Sequence, residues 1–424
     1  MRRPANRADK AAGASPVGLF GERSVDEFLA QYWQRAPLLV RQAFPGIQAP
    51  LEPRALMQLA GDDAVQSRLV SSAAGSWTLD HGPFRLKDLP PLGRKNWTLL
   101  VQGVNLHDDA AHRLMSAFRF LPDARLDDLM ISLAGDQGGV GPHWDSYDVF
   151  LVQLWGTRRW QIAPPGEDTL RPDLPLKILE RFSPTETWLL EPGDMLYVPP
   201  GWAHDGVAQG PCMTASVGFR APSRLEFLRD FLAEAAYEPG GDDPRFSDQG
   251  RAPARNAAQL PDDLHQTLFD WASLWRPSQT DINEFIGRFL TEPAAQVFFD
   301  SNDALSATAF RQAAASSGIR LDRRTRMLYR GRMVFINGEC HRPTGLRSLS
   351  LVCRLADQGQ LGPAESERAM RDLEIAALLY EWAQSGWLHP GSAREIATGG
   401  PGGGASKTRG APRAGARASK PRSS

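Results

Sequence analysis

The sequence predicts an α+β chain: a double-sheet β-barrel of the jelly-roll kind with flanking helices, then a helical segment, then a small winged-helix-like domain. Three observations predict it. Between residues 129 and 219 the apolar pattern repeats every two residues, the period of half-buried strands. Those segments are short and punctuated by Gly and Pro, as in a closed or double-sheet β architecture. From Pro222 the period switches to the helical one, and a last hairpin signal follows among helices.

The totals set bounds. A chain of 424 residues exceeds one small core, and two or three domains are expected. The net charge of -1 excludes a molecule that binds nucleic acid through its overall field. Cys212, Cys340 and Cys353 are scattered without a CxxC pair, which points to a reducing compartment and no disulfide framework. No apolar run approaches the roughly 20 residues of a membrane helix. Residues 1–16 carry basic residues with no apolar core behind them, unlike a secretory signal. The expected location is the cytoplasm, with no membrane contact.

Taken in order, residues 1–17 read as a disordered lead-in. Ser24 caps a short helix over residues 25–33, and residues 54–61 suit a second. Residues 77–79 and Trp97–Val101 read as strands, and residues 108–120 return to helical spacing. From Leu129, Met130, Ser132 and Ala134 share one face of a strand. Residues 149–155 and 158–162 read as a hairpin around Gly156–Thr157. Residues 188–190, 194–198 and 213–219 complete the barrel, which closes the first domain at residues 18–222.

Ser223-x-x-Glu226 is a capping box that opens a helical segment, residues 223–279. Leu264, Leu268, Trp271 and Trp275 form one stripe, more apolar surface than two short helices hide alone, so a homodimer is expected. Residues 280–390 combine helices at 282–289, 304–315 and 365–385 with a hairpin at 327–336. Residues 391–424 are Gly-, Pro- and Arg/Lys-rich and read as a disordered basic tail. Together with Arg320, Arg323, Arg324, Arg326, Arg330 and Arg332, that tail leaves nucleic-acid binding as an alternative role.

The chemistry concentrates in residues 141–162, GPHWDSYDVFLVQLWGTRRWQI, and 191–207, EPGDMLYVPPGWAHDGV. His143-x-Asp145 places an imidazole and a carboxylate on one face of an extended segment. His204 closes the spacing Gly193-x5-Pro199-x-Gly201-x2-His204, similar to the second motif of cupin barrels, whose turn aims the histidine inward. Two histidines and one carboxylate are the facial set that holds Fe(II) and leaves coordination positions open. The remaining histidines lack such partners and read as structural or solvated.

Strand alternation puts Arg158, Trp160 and Ile162 on the barrel's apolar interior face and Arg159 outside. A buried guanidinium needs an anion, and a carboxylate is its natural bidentate partner. The far carboxylate of 2-oxoglutarate fits, with Ser132 as a hydroxyl donor beside it. A structural salt bridge for Arg158 and an ordinary strand serine remain the alternatives. Asp136, on the loop before the triad, suits a substrate cation or a solvated turn. Trp155, Tyr147 and Trp202 suit an aromatic entrance or core packing.

The segments PHWDSYDVFLVQ, GTRRWQI, EPGDMLYVPPGWAHDGVA and SVGFRAPS resemble the JmjC-type ribosomal oxygenases, in particular the bacterial branch that hydroxylates an arginine of a large-subunit ribosomal protein. The likeness runs from about residue 18 to 390. It implies Fe(II) at His143, Asp145 and His204, and 2-oxoglutarate at Arg158 and Ser132. It also implies a ribosomal protein substrate, oxidised with release of succinate and CO2, and a homodimer. Histidyl hydroxylation and demethylation on the same fold stay as alternatives. The basic tail departs from the pattern, with weak RNA contact as its expected use.

Overall fold

The computed structural model describes residues 18–73, 76–166, 169–235, 247, 261–274, 277–302 and 304–391. The expected lead-in and basic tail, most of the polar loop after the first helix of the helical segment, and Trp275 lie outside them.

The N-terminal lobe opens with α1 (Val25–Gln31), whose Ser24 and Glu27 form a capping box. Strands β1 (Leu38–Val40), β2 (Ser67–Ala73), β3 (Ser76–His81) and β4 (Trp97–Val101) follow, with α2 (Pro53–Leu59) between β1 and β2. Helix α3 (Asp109–Ser116), capped by Asp108, leads into β5 (Leu126–Ala134). Then come β6 (Val149–Ala163), β7 (Glu186–Leu190), β8 (Met195–Val198) and β9 (Ala203–Phe219). Among the described residues these make one nine-stranded sheet, ordered β1-β8-β6-β9-β5-β4-β2-β3, with β7 also on β6.

The expected hairpin at Gly156–Thr157 is corrected: residues 149–163 form one strand, paired with β9 along both halves. Gly156 takes φ 62° and absorbs a register shift instead of a turn, because its backbone presses on Pro211 and Cys212. A Cβ there would meet the Pro211 carbonyl at 2.2 Å. The short strand expected at 213–219 likewise begins at Ala203. The two long strands therefore join two surroundings. Phe150, Val152 and Leu154 face the large core shared with α1 and α3, while Trp160 and Ile162 pack with Leu190, Leu196 and Val198.

Beyond the barrel, Ser223 and Glu226 exchange the capping-box hydrogen bonds at the start of α4 (Arg224–Ala235). Phe227 of α4 stacks edge-on against Phe285 and Phe289 of α6 (Gln279–Thr291). Helix α5 (Asp262–Leu274) lies between them in sequence. The last domain has its own core, built by α7 (Ala307–Ser317), α8 (Leu346–Gln358), α9 (Pro363–Met370) and α10 (Leu373–Gln384) around Trp382 and Phe310. The single helix expected at 365–385 is two, because Asp372 leaves the helical conformation and its carboxylate caps α10 at Glu374 and Ile375.

Three of the six arginines of the basic cluster are held in ion pairs. Arg323 meets Asp109 at 2.6 Å and Arg326 meets Asp127 at 3.4 Å, tying the last domain to the barrel. Arg324 pairs with Asp322 at 2.8 Å. These pairs tie up half of the cluster's positive charge.

Candidate metal centre

His143 and His204 face each other as a backbone bridge. His143 N donates to His204 O at 3.1 Å, and His204 N to His143 O at 2.8 Å. Gly201 N donates to Asp145 O at 2.8 Å, so the turn before His204 is pinned to the segment that carries the other two side chains. The ring centroids stand 4.3 Å apart. One donor atom from each of His143, Asp145 and His204 lies within 4.8 Å of the others.

The orientation is set by the ring nitrogens that face away from the centre. Nδ1 of His143 lies 2.9 Å from Gly141 O, and Nδ1 of His204 lies 3.1 Å from Trp202 O. Donation to a carbonyl from Nδ1 leaves Nε2 as the free lone pair. Burial, reinforced by the neighbouring His143, pushes His204 down to about 4, so its imidazole stays neutral and ready to ligate at pH 7. Trp160 packs beside it, with ring centroids 5.9 Å apart.

Arg158 is 5% exposed, on the interior side of β6 as alternation requires. Its Nη1 donates to Ser132 Oγ at 3.1 Å, while Ser132 Oγ in turn donates to Thr214 O at 3.2 Å. Arg158 Nε and Nη2 are buried with no hydrogen-bond partner among the described residues. A buried guanidinium with two unmet donors suits an anion. The donor set thus fits both groups: three ligands that suit a divalent metal, and a cation that needs a carboxylate.

The other expected site residues divide. Tyr147 stands at the mouth, 40% exposed, where burial and the Asp145 and Asp128 carboxylates hold its phenol well above the usual range. Trp155 sits at the β6 bulge, opposite Met213 and nine residues along β9 from His204, and is not brought to the triad. Asp136 is engaged elsewhere: Lys95 at 2.7 Å and the Gly210 amide at 2.9 Å hold it down at about 2. Trp202 packs on the cluster around Trp160. Arg159, on the opposite face, is partly buried, and its Nε has no hydrogen-bond partner among the described residues.

Sequence reasoning missed Asp128. It shares the β5 face of Met130 and Ser132 by alternation, and the same argument that turned Ser132 inward would have found it. Its Oδ1 and the Tyr147 ring lie 3.6 and 3.9 Å from the point where a Gly218 Cβ would stand. Desolvation, with Asp127 alongside, pushes its carboxyl up to about 6. A groove of about 250 Å³, lined by Asp127, Tyr147, Arg220 and Glu226 among others, opens at the neighbouring Asp127.

Known proteins agree with this construction. A model of the JmjC domain matches residues 113–227, and a model of the ROXA-like winged helix matches residues 264–389. The chain is 44% identical over 208 residues to the ribosomal protein uL16 3-hydroxylase of Escherichia coli K12, covering 48% of this chain and 55% of that protein. It is 36% identical over 200 residues to a probable ribosomal oxygenase of Haemophilus influenzae, covering 46% and 49%. These alignments span about half the length of the curated relatives. The X-ray structure of E. coli YcfD superposes with a TM-score of 0.75 at 31% identity, covering 87% of this chain and 98% of that one. The same E. coli protein in complex with cobalt and 2-oxoglutarate gives a TM-score of 0.73 at 31% identity. With a barrel that gathers two histidines and an aspartate, a winged helix behind it, and a solved relative matched along nearly its whole length, the chain belongs to the JmjC ribosomal oxygenase family.

Proposed function

We propose that the protein is an Fe(II)- and 2-oxoglutarate-dependent hydroxylase of an arginine in a large-subunit ribosomal protein. The observation that carries this is the triad within 4.8 Å in the same barrel as a buried, half-satisfied Arg158. The name of the E. coli relative, a uL16 3-hydroxylase, points to the substrate class. His143, Asp145 and His204 would hold the metal, and Arg158 with Ser132 the far carboxylate of the cosubstrate. Ferrous iron with a 2-oxo acid and O2 supplies an oxidant strong enough to hydroxylate an unactivated C–H bond, with succinate and CO2 as co-products.

The chain's own contribution is position and exclusion. Nδ1–H donation fixes both imidazoles before any ligand arrives. The interior Trp160 and Ile162 keep water from the cosubstrate's side of the centre. Asp128, rather than Asp136, whose carboxylate is already paired with Lys95, would receive a substrate guanidinium, with Tyr147 alongside.

The test is incubation of the full chain with ferrous iron, 2-oxoglutarate and ribosomal proteins, then mass mapping. Gain of one oxygen on an arginine is expected. Gain on a histidine, or loss of a methyl group from a lysine or arginine, would move the assignment to the alternatives on this fold. Succinate release without any change in protein mass would reject the substrate.

The same reading includes a homodimer through α4 and α5. Leu225 is 78% exposed and Phe269 57%, and Leu228, Leu232, Leu268 and Trp271 are exposed beside them. Light scattering should give twice the chain mass, and Leu228→Glu with Leu268→Glu should give one chain mass. A monomeric wild type at micromolar concentration would refute it. No helix among the described residues is long and apolar enough to cross a membrane, and the reading places the enzyme in the cytoplasm. It gives the basic tail a weak, salt-sensitive RNA contact.

A further inference from the structure

We propose that Thr98 is a positioning residue for the cosubstrate: its hydroxyl is the third donor to the far carboxylate, beside Arg158 and Ser132. This rests on the reading above and names a residue of that same site.

Thr98 is 1% exposed, and its Oγ1 is buried with no hydrogen-bond partner among the described residues. Its cross-strand neighbours are Val70 on β2 and Ala134 on β5, neither of which offers a side-chain partner. Directly paired residues share a face, so Thr98, Ala134 and, two residues along, Ser132 line the same interior surface. Thr98 and Ser132 are diagonal neighbours, about 7 Å apart at Cβ in such a ladder. One carboxylate and two hydrogen bonds of about 2.8 Å span that gap.

Arg158 approaches from the other side. Ala208, its partner on β9, packs against Ala134, so only small side chains lie between the guanidinium and the β4 strand. The buried polar atoms left unmet around the guanidinium are Arg158 Nε, Arg158 Nη2, Trp160 Nε1 and, on the β4 side, Thr98 Oγ1, all able to donate. Leaving a buried hydroxyl without a partner is costly unless a ligand supplies the acceptor. A dicarboxylic acid anchored at Arg158 supplies it. The sequence alternation gave no hint of this, because a threonine in the run WTLLV is ordinary for a strand.

The test measures binding, not turnover. The full chain is loaded with Mn(II) and titrated calorimetrically with 2-oxoglutarate and, separately, with oxalate, which chelates the metal but has no far carboxylate. Thr98→Val should weaken 2-oxoglutarate roughly tenfold and leave oxalate unchanged. Thr98→Ser should restore the wild-type affinity. Equal 2-oxoglutarate affinity in wild type and Thr98→Val overturns the proposal. So does an equal loss for both ligands, which marks a packing role. If the wild type binds no 2-oxoglutarate, the reading of the site falls with it. If it binds and Arg158→Ala abolishes the binding, that reading stands whatever Thr98 does.

Discussion

Replacing His204 by alanine removes divalent-metal binding and all metal-dependent turnover. His204 is 3% exposed and supplies one of three donors, and an open site with two donors from one short segment retains little hold on a metal. The wild type should gain thermal stability with added Mn(II), by roughly 3 kcal/mol at a hundredfold excess over its dissociation constant. The variant should melt near the metal-free wild type and show no gain. Metal content after dialysis checks the same point by a second route. A variant that retains stoichiometric metal would show that the ion lies elsewhere.

The second large effect concerns Asp128. Its carboxyl is pushed up to about 6, above the ordinary aspartate value, so it is neutral at pH 5 and ionised at pH 7. A substrate guanidinium needs the ionised form. For an arginine-containing substrate peptide, kcat/KM should therefore rise with pH through about 6. Asp128→Asn should lower kcat/KM on the order of 100-fold at pH 7.5, because a desolvated charge partner is lost. It should also flatten the rise near pH 6. The linkage to stability has the opposite sign from that of a salt-bridged acid. Folding raises this carboxyl's proton affinity, so the wild type loses stability relative to Asp128→Asn as pH climbs from about 4, the ordinary value, to about 6. An unchanged pH profile in the variant would remove Asp128 from substrate binding.

The triad and Arg158 were legible because strand alternation and a glycine- and proline-shaped turn are strictly local. His143 and Asp145 two apart, and Arg158 in phase with Trp160 and Ile162, need no knowledge of what lies opposite. Gly156 misled for the converse reason. A glycine at positive φ serves a turn or a bulge equally well, and the choice was made by the distant Pro211 and Cys212 pressing on it. Asp136 and Asp128 show the same divide. From sequence the loop aspartate looked free and the strand aspartate unremarkable. Lys95 and Gly210 claim the first, while the second is buried beside Asp127 with the Gly103 amide donating to it at 3.0 Å. The arginine cluster near residue 326 reads as a candidate nucleic-acid surface, but Arg323 and Arg326 meet Asp109 and Asp127, acidic partners far away in sequence. Residues whose role depends on an unmet bond, such as Thr98, are invisible to any pattern of residue types.

One metal ion and one dicarboxylic acid are expected to meet inside this barrel. Anomalous diffraction from crystals grown with Mn(II) and 2-oxoglutarate tests it directly. The expected density is a single ion bound by His143, Asp145 and His204, with the far carboxylate of the acid on Arg158. An ion outside that triad, or an acid that leaves Arg158 bare, would contradict it.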